Sequence, residues 1–163
     1  MKLLDIHTHS ASTPPEEAIL NVSPAHFAPQ PGRYYSVGYH PWHLSDDGSE
    51  DWNRLNEVAH HPQVLAIGEA GLDKAAGADF AIQLNAFEQQ ATLAEEVSKP
   101  LIIHCVRSFN EVMAMKKTLK STIPWIIHGF RGKRELAEQL CAQGFFIAYG
   151  FRYNEEALCS TPP

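Results

Sequence analysis

LIIHCVRSFNEVMAMKKTLKSTIPWIIHGF, residues 101–130, is the stretch that decides the fold. Leu101, Ile102 and Ile103 form a short branched apolar run that reads as a buried strand. Ser108-Phe109-Asn110-Glu111 then has the form of a capping box, and Val112, Met115 and Leu119 recur behind it at helical spacing. Trp125, Ile126 and Ile127 make a second buried strand. Strand, helix and strand in so short a span imply a parallel pair joined by a right-handed crossover. Each strand is followed at once by a histidine, His104 and His128. In a parallel barrel the C-terminal strand ends form the rim on which active sites are built.

Working outward, the same alternation covers most of the chain. Further buried strands are predicted over residues 2–6, 18–22, 34–39, 64–68 and 145–149. Trp52, Leu55 and Ala59 place a helix over 51–60, and Phe80, Leu84, Phe87, Ala91 and Ala94 place a longer one over 79–98. Leu136 and Leu140 mark another, with Gly144 set to end it. Residues 12–33 carry Pro14, Pro15, Pro24, Pro29 and Pro31, which leave no room for a full helix and predict an irregular crossover. No repeat or linker divides the chain, so residues 1–163 are expected to form a single α/β domain with a parallel sheet, open or closed into a barrel.

Composition narrows the class. A chain of 163 residues with 44% hydrophobic content can bury a sizeable core, and a formal charge of −6 supplies no broad basic surface for a nucleic-acid backbone. Any phosphate recognition is therefore expected to be local. Cys105, Cys141 and Cys159 form neither an even framework nor a CxxC pair, which fits reduced thiols and a cytoplasmic location. The apolar N-terminal stretch is broken by Asp5, His7 and His9, and no run reaches the roughly 18 apolar residues of a membrane span.

Polar residues at strand ends carry the chemistry. His7 and His9 follow the first strand with one residue between them, a spacing that turns both imidazoles to one side. His40, Glu69, His104 and His128 follow four further strands. Nitrogen-rich ligands around one central carboxylate suit zinc, manganese, iron or nickel. They exceed the needs of one tetrahedral ion; two ions bridged by Glu69 would use them. The expected chemistry is metal-assisted hydrolysis. Cys105, next to His104, is expected to point away by strand alternation and to play no nucleophilic part.

These segments, DIHTHS (5–10), GYHPW (38–42), IGEAGLD (67–73), QLNAFEQQ (83–90), PLIIHCVRS (100–108) and IIHGF (126–130), resemble in order the motifs of the TatD family of metal-dependent hydrolases, related to the amidohydrolases. The resemblance implies a TIM-like barrel and a divalent-metal-dependent deoxyribonuclease. It implies that His7 and His9 bind one ion, that Glu69 bridges as the central catalytic group, and that His104 and His128 bind the second. It gives two divalent ions per chain, Mg, Mn or Zn. His40 would touch substrate or its phosphate and Arg107 would neutralise a phosphate oxygen, while Asp73 and Asp5 are read as supporting residues. DNA is the implied partner.

Two departures from the family pattern shape the expectation. Only a proline-rich segment separates HTH from GYHP, so the first barrel segments should be reduced. The family's last ligand, an aspartate on the eighth strand, has no counterpart before Ser160-Thr161-Pro162-Pro163. We therefore expect a shortened barrel of about seven strands, open between first and last, whose edges invite self-association, and reduced activity for this chain. Two alternatives keep the metal centre: a small-molecule amidohydrolase or deacylase, and a non-catalytic metal-binding scaffold. A metal-free α/β domain is a third. A His-x-His-Ser opening also occurs in PHP phosphoesterases, but GYHPW and GEAGLD fit that class poorly.

Overall fold

A computed structural model describes residues 5–162. Seven strands form one sheet, in the order β1 (Asp5–Thr8), β2 (Ala18–Val22), β3 (Tyr34–Val37), β4 (Val64–Asp73), β5 (Leu101–Val106), β6 (Trp125–Ile127) and β7 (Phe145–Ile147). Each pairs in parallel with the next. Sequential parallel order with helices on the outside makes an incomplete TIM-like barrel. Among the described residues β1 and β7 each lack a strand partner on one edge. The helices are α1 (Trp52–Ala59), α2 (Phe80–Glu96), α3 (Phe109–Leu119), α4 (Arg134–Ala142) and α5 (Glu155–Ser160).

The first two crossovers lack α-helices, as the prolines require. Between β2 and β3 there is only a single 3-10 turn, Pro24–His26, and a second such turn, Pro41–His43, follows β3. From α1 onward helix and strand alternate regularly, and the apolar stripes of α1 to α4 cover the sheet. Val64, Ile67, Leu72, Leu101, Ile103, Trp125 and Ile127 are fully or almost fully buried, with Phe87, Val112 and Leu140 packed among them from the helices.

Several boundaries differ from the sequence expectation. β4 continues to Asp73 and β5 to Val106, so Glu69 and His104 lie inside strands rather than beyond them. His7 likewise lies within β1; the expected strand residues Lys2, Leu3 and Leu4 fall outside the described residues. β3 and β7 stop short of residues 39 and 149. α3 begins where the capping box places it, but the Ser108 hydroxyl donates to the Val106 carbonyl (3.0 Å) instead of capping. Arg107 sits at φ 55°, and the tight left-handed step after β5 turns the buried Ser108 back toward its own strand. Gly144, at φ 75°, ends α4 as expected.

A register irregularity between Ile67 and Ala70 interrupts the β4–β5 ladder around Glu69. Such a bulge re-aims a side chain. Just beyond it Gly71, at φ 144°, pairs with His104 so closely that a Cβ would fall onto the His104 carbonyl oxygen. Gly71→Ala is therefore expected to destabilise the fold by about 2 kcal/mol or more, from backbone strain and overpacking combined. An unchanged urea midpoint for that variant would contradict the close approach.

Candidate metal centre

Glu69 is only 4% exposed, and its two carboxylate oxygens face different histidines. Oε2 lies 2.9 Å from His7 Nε2 and 3.4 Å from His9 Nε2. Oε1 lies 3.3 Å from His104 Nδ1 and 3.8 Å from His40 Nε2. Strand β1 and the residue just past it, strand β5 and the turn after β3 thus deliver four imidazoles to the one carboxylate on β4. His128, just past β6, rests its ring against His7 with centroids 4.2 Å apart, and His40 and His104 stand 4.4 Å apart. The sets His7, Glu69, His128 and His40, Glu69, His104 each bring three potential ligand atoms within reach of one ion. Among the described residues no such set holds both His104 and His128; the shape of the mouth seats His128 beside β1.

The donor geometry fits a cation. His7 Nε2 and His9 Nε2 are 3.0 Å apart and share Glu69 Oε2. Ligands about 2.1 Å from a tetrahedral ion stand about 3.4 Å from one another. The buried Nδ1 of His7 has no hydrogen-bond partner, so the protein by itself leaves this ring incompletely satisfied.

Hydrogen bonds assign roles to the remaining rings. His104 Nε2 donates to Asp73 Oδ2 (2.8 Å), so Nδ1 is the nitrogen that faces Glu69: it donates there when the ring is protonated and would offer its lone pair to a cation. That is the carboxylate–histidine relay typical of metal ligands. His40 is different. Its Nδ1 accepts from the Trp42 backbone N–H (3.1 Å), so the neutral ring carries its proton on Nε2, facing Glu69 Oε1 as a donor. Burial would raise the carboxyl pKa of Glu69, but hydrogen bonds from His104 and His7 outweigh it and hold the group ionised. Burial lowers His40 and His128 to about 4, with neighbouring imidazoles adding to the effect. For His104 burial acts downward, yet Glu69 and Asp73 together raise it.

The supporting residues come largely from α2. Gln83 and Gln90, both 1% exposed, are seven apart and so project from one face of that helix. Gln83 accepts from the Asp73 N–H (2.8 Å) and donates to the Asp73 carbonyl (3.1 Å). Gln90 does the same at Tyr39, at 2.7 and 3.1 Å. One helix thus clamps the backbone of the residue that orients His104 and of the residue before His40. Gly38 permits the second clamp, since a Cβ there would stand 2.7 Å from Gln90 Oε1. Asn21 donates to the Gly68 carbonyl (2.6 Å), steadying the residue before Glu69 from β2. None of these roles was assigned from the sequence, although an amide inside an apolar strand and two glutamines at heptad spacing were visible in it.

A cavity of about 670 Å³ opens over Glu69, His104 and His128 and is rimmed by Arg107 and Arg131. Arg107 stands where the sequence placed it, at the mouth; Arg131 is an addition. Cys105 borders the same cavity and packs against the core, and burial pushes its thiol up to about 12 and keeps it protonated.

Comparisons with known proteins agree with this geometry. The profile of the family described as TatD related DNase matches residues 5–158. The chain is 33% identical over 121 residues to the uncharacterized metal-dependent hydrolase YabD of Bacillus subtilis, covering 72% of this chain and 47% of that protein. It is 34% identical over 120 residues to the 3′-5′ ssDNA/RNA exonuclease TatD of Erwinia tasmaniensis, covering 69% and 44% respectively. It thus spans about half the length of the curated relatives it matches. The crystal structure of YJJV, a TatD homologue from Escherichia coli, superimposes with a TM-score of 0.75 at 22% identity over 90% of this chain and 67% of that one. A hydrolase TatD family protein from Entamoeba histolytica gives 0.69 at 16% identity, over 91% and 65%. At these identities the two structures show the fold.

Two outcomes are expected. Gln90→Leu leaves the Tyr39 N–H and carbonyl unpaired in the interior and should cost about 2–4 kcal/mol of stability, measured by urea unfolding. His40 and His128 have folded-state pKa values below the ordinary 6.5, and Glu69 lies below the ordinary carboxylate value. Folding disfavours protonation of His40 and His128, so stability is full above about pH 6.5 and drains as pH falls toward 4; the contribution of Glu69 drains only below its ordinary carboxylate value, and the raised pKa of His104 opposes the trend. The Tm of metal-free protein should fall between pH 7 and 4, and a flat profile would contradict the assignment.

Proposed function

The chain belongs to the TatD related DNase family, and from that premise we propose that it is a divalent-metal-dependent hydrolase cleaving phosphodiester bonds in DNA. The observation that supports this reading is the convergence of His7, His9 and His104 nitrogens on the two oxygens of Glu69, with His128 against His7. In the proposal His7 and His9 would hold one ion, His104 and His128 would hold the second, and Glu69 would serve both. Their identity is Zn, Mn or Mg, with the nitrogen-rich donors favouring the first two. Bound there, the ions would lower the pKa of a coordinated water and offset charge on the attacked phosphate.

The protein's own groups do the rest. Asp73 holds His104 in the tautomer that presents Nδ1 to the centre. His40 offers its Nε2 proton to a substrate oxygen, and Arg107 pairs with a phosphate at the rim. The net charge of −6 makes these local cations the recognition element in place of a basic face. No helix among the described residues is long and apolar enough to cross a membrane, and a cytoplasmic location remains part of the proposal, as does self-association through the strand edges of β1 and β7.

Metal-dependent release of nucleotides from single-stranded DNA, set against a panel of amides and esters, tests the reading; turnover of the panel alone would replace the nuclease with an amidohydrolase. Glu69→Gln should weaken both ions together, by on the order of 100-fold or more. His104→Ala should spare the ion at His7 and His9. Equal loss in both variants, by elemental analysis and titration calorimetry, would overturn the two-site assignment.

A further inference from the structure

Trp42 is 61% exposed, yet it is held on three sides. Its Nε1 donates to Asp73 Oδ2 (2.7 Å), and its ring meets His40 and His104 edge to face, at centroid distances of 5.0 and 5.5 Å. A large apolar ring left in water costs free energy, and a ring fixed in that state loses no further side-chain entropy when something stacks on it. Aromatic rings presented in this way are the platforms on which bases of single-stranded nucleic acid stack.

The surroundings place the base. Trp42, His40 and His9 form a wall shared by two cavities. One is the arginine-rimmed cavity over Glu69. The other, about 770 Å³, lies on the opposite side, against Asn21, His26, Tyr39 and His43, and no lysine, arginine or carboxylate lines it. Its volume is within the roughly 300–1,000 Å³ of sites that take a small organic group. The arginine side suits phosphates; the neutral side, with hydroxyl, amide and imidazole edges, suits a heterocyclic base. Building on the proposed function, we infer that this second cavity is a nucleobase subsite. The base next to the scissile phosphate stacks on Trp42 inside it, and the following phosphates run over Arg107 and Arg131. Because every base has a π-face, the subsite selects unpaired strands without reading sequence. A base held in a duplex cannot enter it.

Fluorescence anisotropy of a labelled oligothymidylate, in chelator so that nothing is cut, measures the subsite against an abasic strand of equal length. The expected result is about 10- to 100-fold tighter binding of the base-bearing strand. Trp42→Leu should abolish that preference. Trp42→Phe, which keeps the ring but loses the N–H to Asp73, should retain most of it and controls for disturbance of the centre. Equal affinity for the two strands, absence of binding to either, or a preference that survives Trp42→Leu overturns the subsite. If metal-dependent cleavage proceeds at equal rates on both strands, the subsite fails alone. If base-dependent binding occurs without cleavage under any metal, the subsite stands and the nuclease reading fails.

Discussion

A buried carboxylate cannot remain ionised without partners, and the barrel mouth is organised around supplying them to Glu69. Desolvation pushes the group toward its neutral form, yet four imidazole nitrogens surround its two oxygens and the balance falls on the charged side. Every structural peculiarity nearby serves that position. The irregular register of β4 aims the side chain inward, Gly71 lets β4 and β5 approach, and Asn21 anchors the preceding carbonyl. Remove the carboxylate and the histidines become a group of mutually unfavourable neighbours with nothing to converge upon.

The second constraint is backbone positioning from α2. That helix shows weaker segregation of polar and apolar faces than α1 or α4 because its inner face carries Gln83 and Gln90 among Phe87, Ala91 and Ala94. Two buried amides would be a liability in a purely packing helix. Here each satisfies a residue's N–H and carbonyl at once, the pattern a neighbouring strand would otherwise supply. The helix thereby extends hydrogen-bonded order past the end of β3, to the turn bearing His40 and Trp42, and fixes the end of β4 at Asp73. Rigid support of this kind is what a metal or substrate site needs, since small displacements of ligands weaken binding sharply.

Charge distribution completes the picture. The centre collects histidines and acidic groups, while Arg107 and Arg131 stand at the rim of the same cavity. A chain with net negative charge thus offers an anion a short positive approach and then a place where cations belong. The neutral cavity across the Trp42 wall has the opposite character, and the boundary between the two runs through the histidines.

Much was legible in the sequence. Short branched or aromatic runs and period-3.6 apolar stripes located the seven described strands and the four longer helices, because burial is a local property of the residues that form each element. His7, His9, Glu69, His104 and His128 could be named together because parallel strands must all end on one rim. Strand length was less legible: β4 and β5 continue through Glu69 and His104 because neighbouring strands extend the ladder there, and only pairing decides that. The partners of each ring were not legible at all. That His104 is bound to Asp73, that His128 leans on His7 and that Gln83 and Gln90 reach across to Asp73 and Tyr39 depend on distances between segments far apart in the chain. The sequence by itself determined which chemical groups arrive at the mouth of the barrel; the tertiary structure decided which atoms of those groups face one another. Residue periodicity specifies a direction along one element, whereas a hydrogen bond requires two elements to be placed to within a fraction of an ångström.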